Sequence, residues 1–327
     1  MKTLILTHAD CDGLCSGALA LSIYRDARVT FSNPISLLSD LKHASEYDRI
    51  IVTDIAVDIG MSTAVKKALE SLSDGRELVY IDHHPLSPGF SGPWLVHDTN
   101  ACGSLLAFYH FRRTMDIDLS RVAMYGAIGD YRDNTPMAGE LVRRWDKRSL
   151  YYQAGTLSQG IEVARRNYDY KRLIIDRLSK NVLPSEIDDL SRKAVAASHL
   201  EEGLRERVEK TVEQLRNIAY VINPDGFISK AAIYARIYGD RPVGICAEYR
   251  ENKHVFDLSV RSTSDIDMNV LLNDSAIKFG GHGGGHPMAG GGRIPAGSLK
   301  KFLADFDLQI GRALARKGST AIAPVTG

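Results

Sequence analysis

Residues 4–13 read LILTHADCDG: an apolar run, then one histidine and two aspartates at alternate positions, then glycine. A short apolar run that stops at polar residues and glycine suits a buried strand. If the strand continues, alternation turns His8, Asp10 and Asp12 to one face. Gly13 would then let the backbone turn sharply into a helix. Ligand-type side chains converging at a strand end predict a site whose other members lie further along the chain.

The same punctuation recurs. TLILT (3–7), RVTFSN (28–33), RIIVTD (49–54) and ELVYID (77–82) read as strands, and residues 14–25 and 60–73 carry apolar positions at helical spacing. Alternating strands and helices imply a parallel sheet with helices on both faces. Ligands of such sheets bind beyond the carboxyl ends of the strands. There stand His8, Asp10, Asp12, Asp54 and the triplet Asp82-His83-His84, while Asp130 ends a further apolar run in AMYGAIGDYRDN (123–134). One aspartate after a strand is usually a cap or a turn former. Capping does not explain the repetition at successive strand ends.

If Asp10, Asp12, Asp54 and Asp130 lie together, each ionised pair about 4 Å apart repels by roughly 4 kcal/mol at an effective dielectric near 20. Summed over all pairs, the repulsion rivals the stability of a whole domain, about 5–15 kcal/mol. Bound divalent cations relieve it and leave the oxygens useful. Carboxylates and imidazoles without a clear thiolate favour Mn²⁺ or Mg²⁺, with Zn²⁺, Co²⁺ or Fe²⁺ as substitutes. Cys11, between two of the aspartates, reads as a buried packing residue turned to the opposite face.

The chain has 327 residues, which suggests about two domains. Lys plus Arg is 41 against 40 for Asp plus Glu, so no global field draws the protein to nucleic acid or anionic membrane. Cys11, Cys15, Cys102 and Cys246 show neither zinc-knuckle nor disulfide spacing, which fits a reducing cytoplasm. A histidine interrupts the start too early for a signal-peptide core, and no apolar run approaches a membrane span. The expectation is a soluble, cytoplasmic protein with no membrane partner.

Residues 139–220 are mostly helical in character, and Ser185 with Asp188 makes a variant capping box. The mixed charges that follow read as a solvated helix face connecting two domains. After NPDG (223–226), KAAIYARIY (230–238), PVGICAEYR (242–250) and HVFDLSVRS (254–262) read as strands. GGHGGGHPMAGGG (280–292) holds eight glycines but lacks the serine of a flexible linker. Such backbone can form a nest of N–H groups around a phosphate, with His286 and His282 as further donors. Alternation in FDLSVRS sets Arg261 opposite the apolar face, placed to reach a phosphate bidentately.

HADCDG (8–13), VTDIAVD (52–58), IDHHP (81–85) and GDYRDN (129–134), in this order, resemble the DHH phosphoesterase superfamily, which includes RecJ-type exonucleases, bacterial oligoribonucleases and type II pyrophosphatases. The HxDxD spacing of the first motif is that of the RecJ-like members; the pyrophosphatases use HxxxDxD. LSVRS with GGGHPMAGG resembles the DHH-associated C-terminal domain, which extends the likeness over nearly the whole chain.

The resemblance implies an α/β protein: a parallel-sheet DHH domain over 1–185, a helical connector over 186–218, a smaller mixed α/β substrate-binding domain over 219–318 and a tail over 319–327. It implies two Mn²⁺ ions, with Mg²⁺ or Co²⁺ as alternatives. Asp54 would bridge them, His8 and Asp10 would hold the first, and Asp12, His83 and Asp130 the second. His84 would face the scissile phosphate. Arg261, Gly284, Gly285 and His286 would bind the substrate's terminal phosphate or nucleotide.

The expected activity is hydrolysis of short oligonucleotides to nucleoside monophosphates, since length and charge leave no evident extra nucleic-acid module. A RecJ-like exonuclease on long single strands is the alternative. A cyclic-dinucleotide phosphodiesterase, a nucleoside 3′,5′-bisphosphate phosphatase and a polyphosphatase share the metal chemistry. A catalytically dead scaffold is disfavoured because every acidic position is present. Oligomeric state, with a homodimer among the options, is left open.

Overall fold

The computed structural model describes the backbone of residues 1–320 and the side chains of residues 1–316; the tail read from 319 onward lies, from 321, outside the described residues. The chain divides into two units, Met1–Ser198 and His199–Gly327.

The first unit opens β1 (Thr3–Thr7), α1 (Cys11–Ile23), β2 (Arg28–Phe31), α2 (Leu37–His43), β3 (Arg49–Thr53), α3 (Ser62–Ser73), β4 (Glu77–Asp82) and β5 (Leu95–His97). The strands form one parallel sheet in the order β2-β1-β3-β4-β5. The helices α4 (Gly103–Phe111), α5 (Ser120–Gly129), α6 (Pro136–Val142), α7 (Lys147–Ala164) and α8 (Tyr168–Ser179) complete the unit's own elements.

Period-two alternation decides which face each strand residue joins. Ile5, Ile51 and Ile81 pack with α1, α4, α5, α7 and α8. Leu4, Leu6, Ile50, Val52 and Tyr80 pack on the opposite face with Leu37 and Leu41 of α2 and Val65, Leu69 and Leu72 of α3. Each such fully buried aliphatic contributes about 1.5–3 kcal/mol. The strand order reverses direction at β1, so the crevice for a ligand opens where the carboxyl ends of β1 and β3 diverge.

A long helix, α9 (Leu190–Thr211), contains the division between the units. The second unit continues with β6 (Glu213–Gln214), β7 (Ile218–Ile222), α10 (Ile228–Tyr238), β8 (Val243–Arg250), β9 (Val255–Ser262), α11 (Met268–Lys278), β10 (His282–His286), β11 (Ala289–Pro295) and α12 (Leu299–Thr320). Its sheet runs β10-β11-β9-β8-β7-β6, antiparallel except for β7 beside β8. Leu258, Val260 and Ile294 face Leu272 of α11 and Phe302 and Phe306 of α12. Cys246 on the other face meets Ala231, Ala232 and Ala235 of α10 and Leu204 and Val208 of α9.

Several expectations are corrected. The first strand ends at Thr7, so His8 lies in a loop, Asp10 caps α1 by accepting the Gly13 N–H, and Asp12 sits in its first turn. Gly13 lies inside that helix, and a β-carbon there would stand 2.3 Å from the His8 carbonyl oxygen. Asp130 ends α5, not a strand; its apolar run is a buried helix. Segment 230–238 is the body of α10, because Ala231, Ala232 and Ala235 bury one helical face. Ser185 caps nothing: it lies in a 3-10 turn and pairs with Gln153, ahead of α9.

The glycine-rich segment is neither a linker nor a nest. It is the hairpin β10–β11, with His282 opposite Arg293 and His286 opposite Ala289. Leu272 of α11 explains a glycine within it: a β-carbon on Gly283 would lie 2.7 Å from the leucine side chain. Among the described residues, no helix is long and apolar enough to cross a membrane.

Candidate metal centre

The loop after β1, the ends of β3 and β4, and the last turn of α5 bring five of the predicted ligands of the first unit to the sheet's crevice, and α1 adds Asp12 from its first turn. Ligand atoms of His8, Asp10 and Asp54 all lie within 4.8 Å of one another, and those of Asp12, His83 and Asp130 do the same. Asp54, Asp82 and His84 make a third such group. His83 Nε2 stands 3.2 Å from Asp54 Oδ1, 3.7 Å from Asp130 Oδ2 and 3.9 Å from Asp12 Oδ2.

Each carboxylate is held by its local backbone. Asp12 Oδ2 accepts the N–H of Gly103 at 2.6 Å and Oδ1 accepts that of Ser104 at 3.0 Å. The N-terminus of α4 thus favours negative charge at that carboxylate. Gly126 of α5 leaves the room: a β-carbon there would come 2.6 Å from Asp12 Oδ1. Asp54 follows β3 with φ +56°, the left-handed region, and its N–H bonds the Ile81 carbonyl at 2.9 Å. That strained residue stands in the middle of the cluster, as strain at working sites often does.

The electrostatics are those of too many anions in too little water. Burial pushes the Asp54 carboxyl well above the usual carboxylate range, and Asp12, Asp10, Asp130 and Asp82 add to the push. Burial, then Asp12 and Asp10, move Asp130 up to about 8. At Asp10 desolvation works against ionisation, but His8, whose Nδ1 lies 2.8 Å away, together with the Gly13 N–H and Asp54 holds the carboxyl below its ordinary value. His8 rises in return, chiefly through the Asp10 charge. Burial and then His84 lower His83. Burial opposes a charge on His84, but Asp82, with Asp130 and Asp10 adding to it, raises it.

Asp54 Oδ2 is buried and has no hydrogen-bond partner. An ionised oxygen in that position calls for a cation. The donors are carboxylate oxygens and imidazole nitrogens, and the cysteines beside them, Cys11, Cys15 and Cys102, are buried thiols. The residues therefore suit hard or borderline divalent ions.

Three participants escape the sequence reading. Asp82 belongs to the Asp-His-His triplet, and the motif alone assigns it no task; its Oδ1 lies 2.8 Å from Nδ1 of His84 and orients that ring. Lys171 of α8, itself buried, donates to the Ala9 carbonyl at 2.5 Å and places a cation behind the first loop. Arg132 Nε lies 3.8 Å from Asp130 Oδ2. Asp82, the last residue of β4, is at least visible in the sequence as part of the triplet. Nothing local marks Lys171, which arrives from a helix 162 residues away.

In the second unit, the register sets His286, Ala289 and Arg261 in one row across β10, β11 and β9. Arg261 donates from Nη1 to the Val260 carbonyl at 2.8 Å and from Nη2 to Ser229 of α10. The Gly285 N–H donates to Asn269 Oδ1 at 3.0 Å, and Gly284 lies beside it in β10.

Residues 224–312 match the DHHA1 domain family. RecJ of Thermus thermophilus, solved with Mn²⁺, superposes with a TM-score of 0.71 at 17% identity, over 95% of this chain and 52% of RecJ. The DHH domain of PF0399, a member of the s1p family of ribosomal proteins, gives 0.69 at 15% identity, over 94% of this chain and 86% of that one. The chain has the DHH fold and carries a DHHA1 domain. PggH of Vibrio cholerae, a pGpG-specific phosphodiesterase, shares that DHH fold with a TM-score of 0.61 at 16% identity, over 96% of this chain and 100% of PggH. The chain spans about half the length of the Thermus RecJ. No curated protein matches its sequence.

Proposed function

We propose that this chain is a divalent-metal-dependent phosphodiesterase that cuts dinucleotides and other short oligonucleotides to nucleoside monophosphates. The observation that carries the reading is the pair of ligand groups that adjoin at buried Asp54, whose Oδ2 has no hydrogen-bond partner. His8 and Asp10 are assigned to one ion, Asp12, His83 and Asp130 to the other, and Asp54 to both. Mn²⁺ is the preferred ion, as in the RecJ structure solved with it. Bound ions of this kind supply Lewis-acid charge to the phosphoryl oxygens and to an attacking water.

His84, fixed through Nδ1 by Asp82, presents Nε2 as a proton donor or charge stabiliser for the scissile phosphate. The charge that Asp82 holds on that ring keeps a proton available for the leaving oxygen. Arg261, Gly284, Gly285 and His286 are assigned to a substrate phosphate. Arg261 suits this because its guanidinium, bonded to Val260 and Ser229, is already ordered.

Short substrates are favoured over long strands for two reasons. PggH, a phosphodiesterase whose whole length this chain matches, acts on pGpG. The chain also has a net charge of only +1, and tracking of long strands relies on a basic surface. Four buried, unpaired cysteines accord with a cytoplasmic setting.

The test is release of mononucleotide from a 5′-phosphorylated diribonucleotide with Mn²⁺ and then with chelator, followed by a length series. Chelator-sensitive release that falls steeply with length supports the proposal. A flat or rising profile transfers it to a RecJ-like exonuclease. No release from metal-loaded protein removes the assignment and directs the assay to cyclic dinucleotides, nucleoside 3′,5′-bisphosphates and polyphosphate.

A further inference from the structure

Helix α5 ends in a Schellman arrangement. The Tyr131 N–H bonds the Ile128 carbonyl at 3.2 Å, the Arg132 N–H bonds the Ala127 carbonyl at 2.7 Å, and Tyr131 itself adopts φ +56°. This is the position where glycine is usual, because a β-carbon makes the left-handed conformation costly. Tyrosine gains nothing for the fold here. It is 76% exposed, more than any other tyrosine described, and among the described residues its side chain makes no hydrogen bond, ring stack or cation–π contact. Tyr151 differs: its hydroxyl is tied to Asp133.

What distinguishes Tyr131 is its place. It follows Asp130, a member of the ligand cluster, by one peptide, about 3.8 Å between Cα atoms. The turn fixes the backbone on both sides of it and leaves the ring at the surface, so an exposed aromatic is carried one residue from the centre. A flat hydrophobic face with no protein partner is suited to stacking on a base, a sequence-tolerant contact.

We propose that Tyr131 stacks on the nucleobase of the nucleotide whose phosphate is cut, making it a substrate-binding residue selective for base-bearing phosphodiesters. The proposal rests on the phosphodiesterase reading given above. It explains why a strained, unpacked tyrosine stands where glycine would be easier, and it assigns no preference among the four bases.

The experiment compares wild type with Tyr131→Ala, Tyr131→Phe, Tyr131→Gly and, as a surface control, Tyr152→Ala. Substrates are a dinucleotide and its abasic analogue, and 2-aminopurine riboside 5′-monophosphate serves as a fluorescent ligand that needs no turnover. The Ala and Gly variants are expected to raise KM for the dinucleotide by about tenfold, within the range of base–aromatic stacking. KM for the abasic analogue should change less than about twofold on the same ground, that it offers no base to stack. Tyr131→Phe keeps the stack, and Tyr131→Gly unfolds at a higher temperature than wild type while binding more weakly. Weaker 2-aminopurine binding in Tyr131→Ala completes the expectation. Wild-type affinity in Tyr131→Ala, or an equal KM change for the abasic analogue, overturns stacking and leaves the phosphodiesterase standing. Metal-loaded wild type that neither binds nor cleaves any nucleotide overturns both.

Discussion

Asp82 Oδ1 lies 2.8 Å from Nδ1 of His84, and Asp82 is fully buried. The contact orients the imidazole and supports its charge against burial. Asp82→Asn is expected to lower kcat by about 10–100-fold, the usual effect of removing a partner that orients a working group. In the metal-free variant, the His84 resonance should titrate at lower pH by NMR. An unchanged titration would remove Asp82 from this role.

Asp54→Asn should abolish turnover. In wild type, metal at about a hundred times its Kd adds roughly 2.7 kcal/mol to stability. The variant should lose that increment while its metal-free melting temperature at pH 8 matches or exceeds wild type, since one crowded carboxylate is gone. A variant that still gains wild-type stability from Mn²⁺ would refute a bridging Asp54.

The metal-free protein should weaken as pH rises. Asp54 and Asp130 have folded-state pKa values above their unfolded ones, Asp130 near 8. Such groups stabilise fully below the unfolded carboxylate range, near 4, and lose that contribution as pH climbs through the folded value. The raised values of His8 and His84 act in the same direction above their ordinary 6.5. Asp10 and His83 are lowered and oppose this, Asp10 only at acid pH and His83 below its ordinary 6.5. Thermal melts in chelator should therefore fall between about pH 5 and 8.5, and Mn²⁺ should restore most at the alkaline end. A flat profile would mean the carboxylates do not share one enclosure.

Gly126→Ala places a β-carbon 2.2 Å from Ser104 Oγ and 2.6 Å from Asp12 Oδ1. Overpacking of this kind typically costs about 1–3 kcal/mol. Here it should also shift Asp12 off the N–H groups of Gly103 and Ser104, weakening metal binding measured by calorimetry. Wild-type metal affinity in a folded Gly126→Ala protein would separate Asp12 from the centre.

Much of this is readable in the chain. Apolar strands closed by polar residues locate β1 to β4, since alternation and burial are local and strong. Misreadings come where periodicity is ambiguous. KAAIYARIY mixes alanine with β-branched and aromatic residues, and only packing against Cys246 and Leu204 decides for helix. AMYGAIG is apolar on every side because α5 is buried all round, which imitates a central strand. His8, Asp10 and Asp12 do converge, but through a loop and a helical turn where alternation suggests a strand. Lys171 and the Gly103–Asp12 contact depend on tertiary closure and leave no local trace.

The centre gathers side chains from His8 to Asp130, and Asp12 is satisfied by backbone 91 residues downstream. During synthesis, therefore, the first of these residues leave the ribosome long before the last. A nascent chain arrested before Asp130 emerges lacks one member of the Asp12, His83 and Asp130 group. On the proposed reading, activity would then wait until Asp130, at the end of α5, has docked.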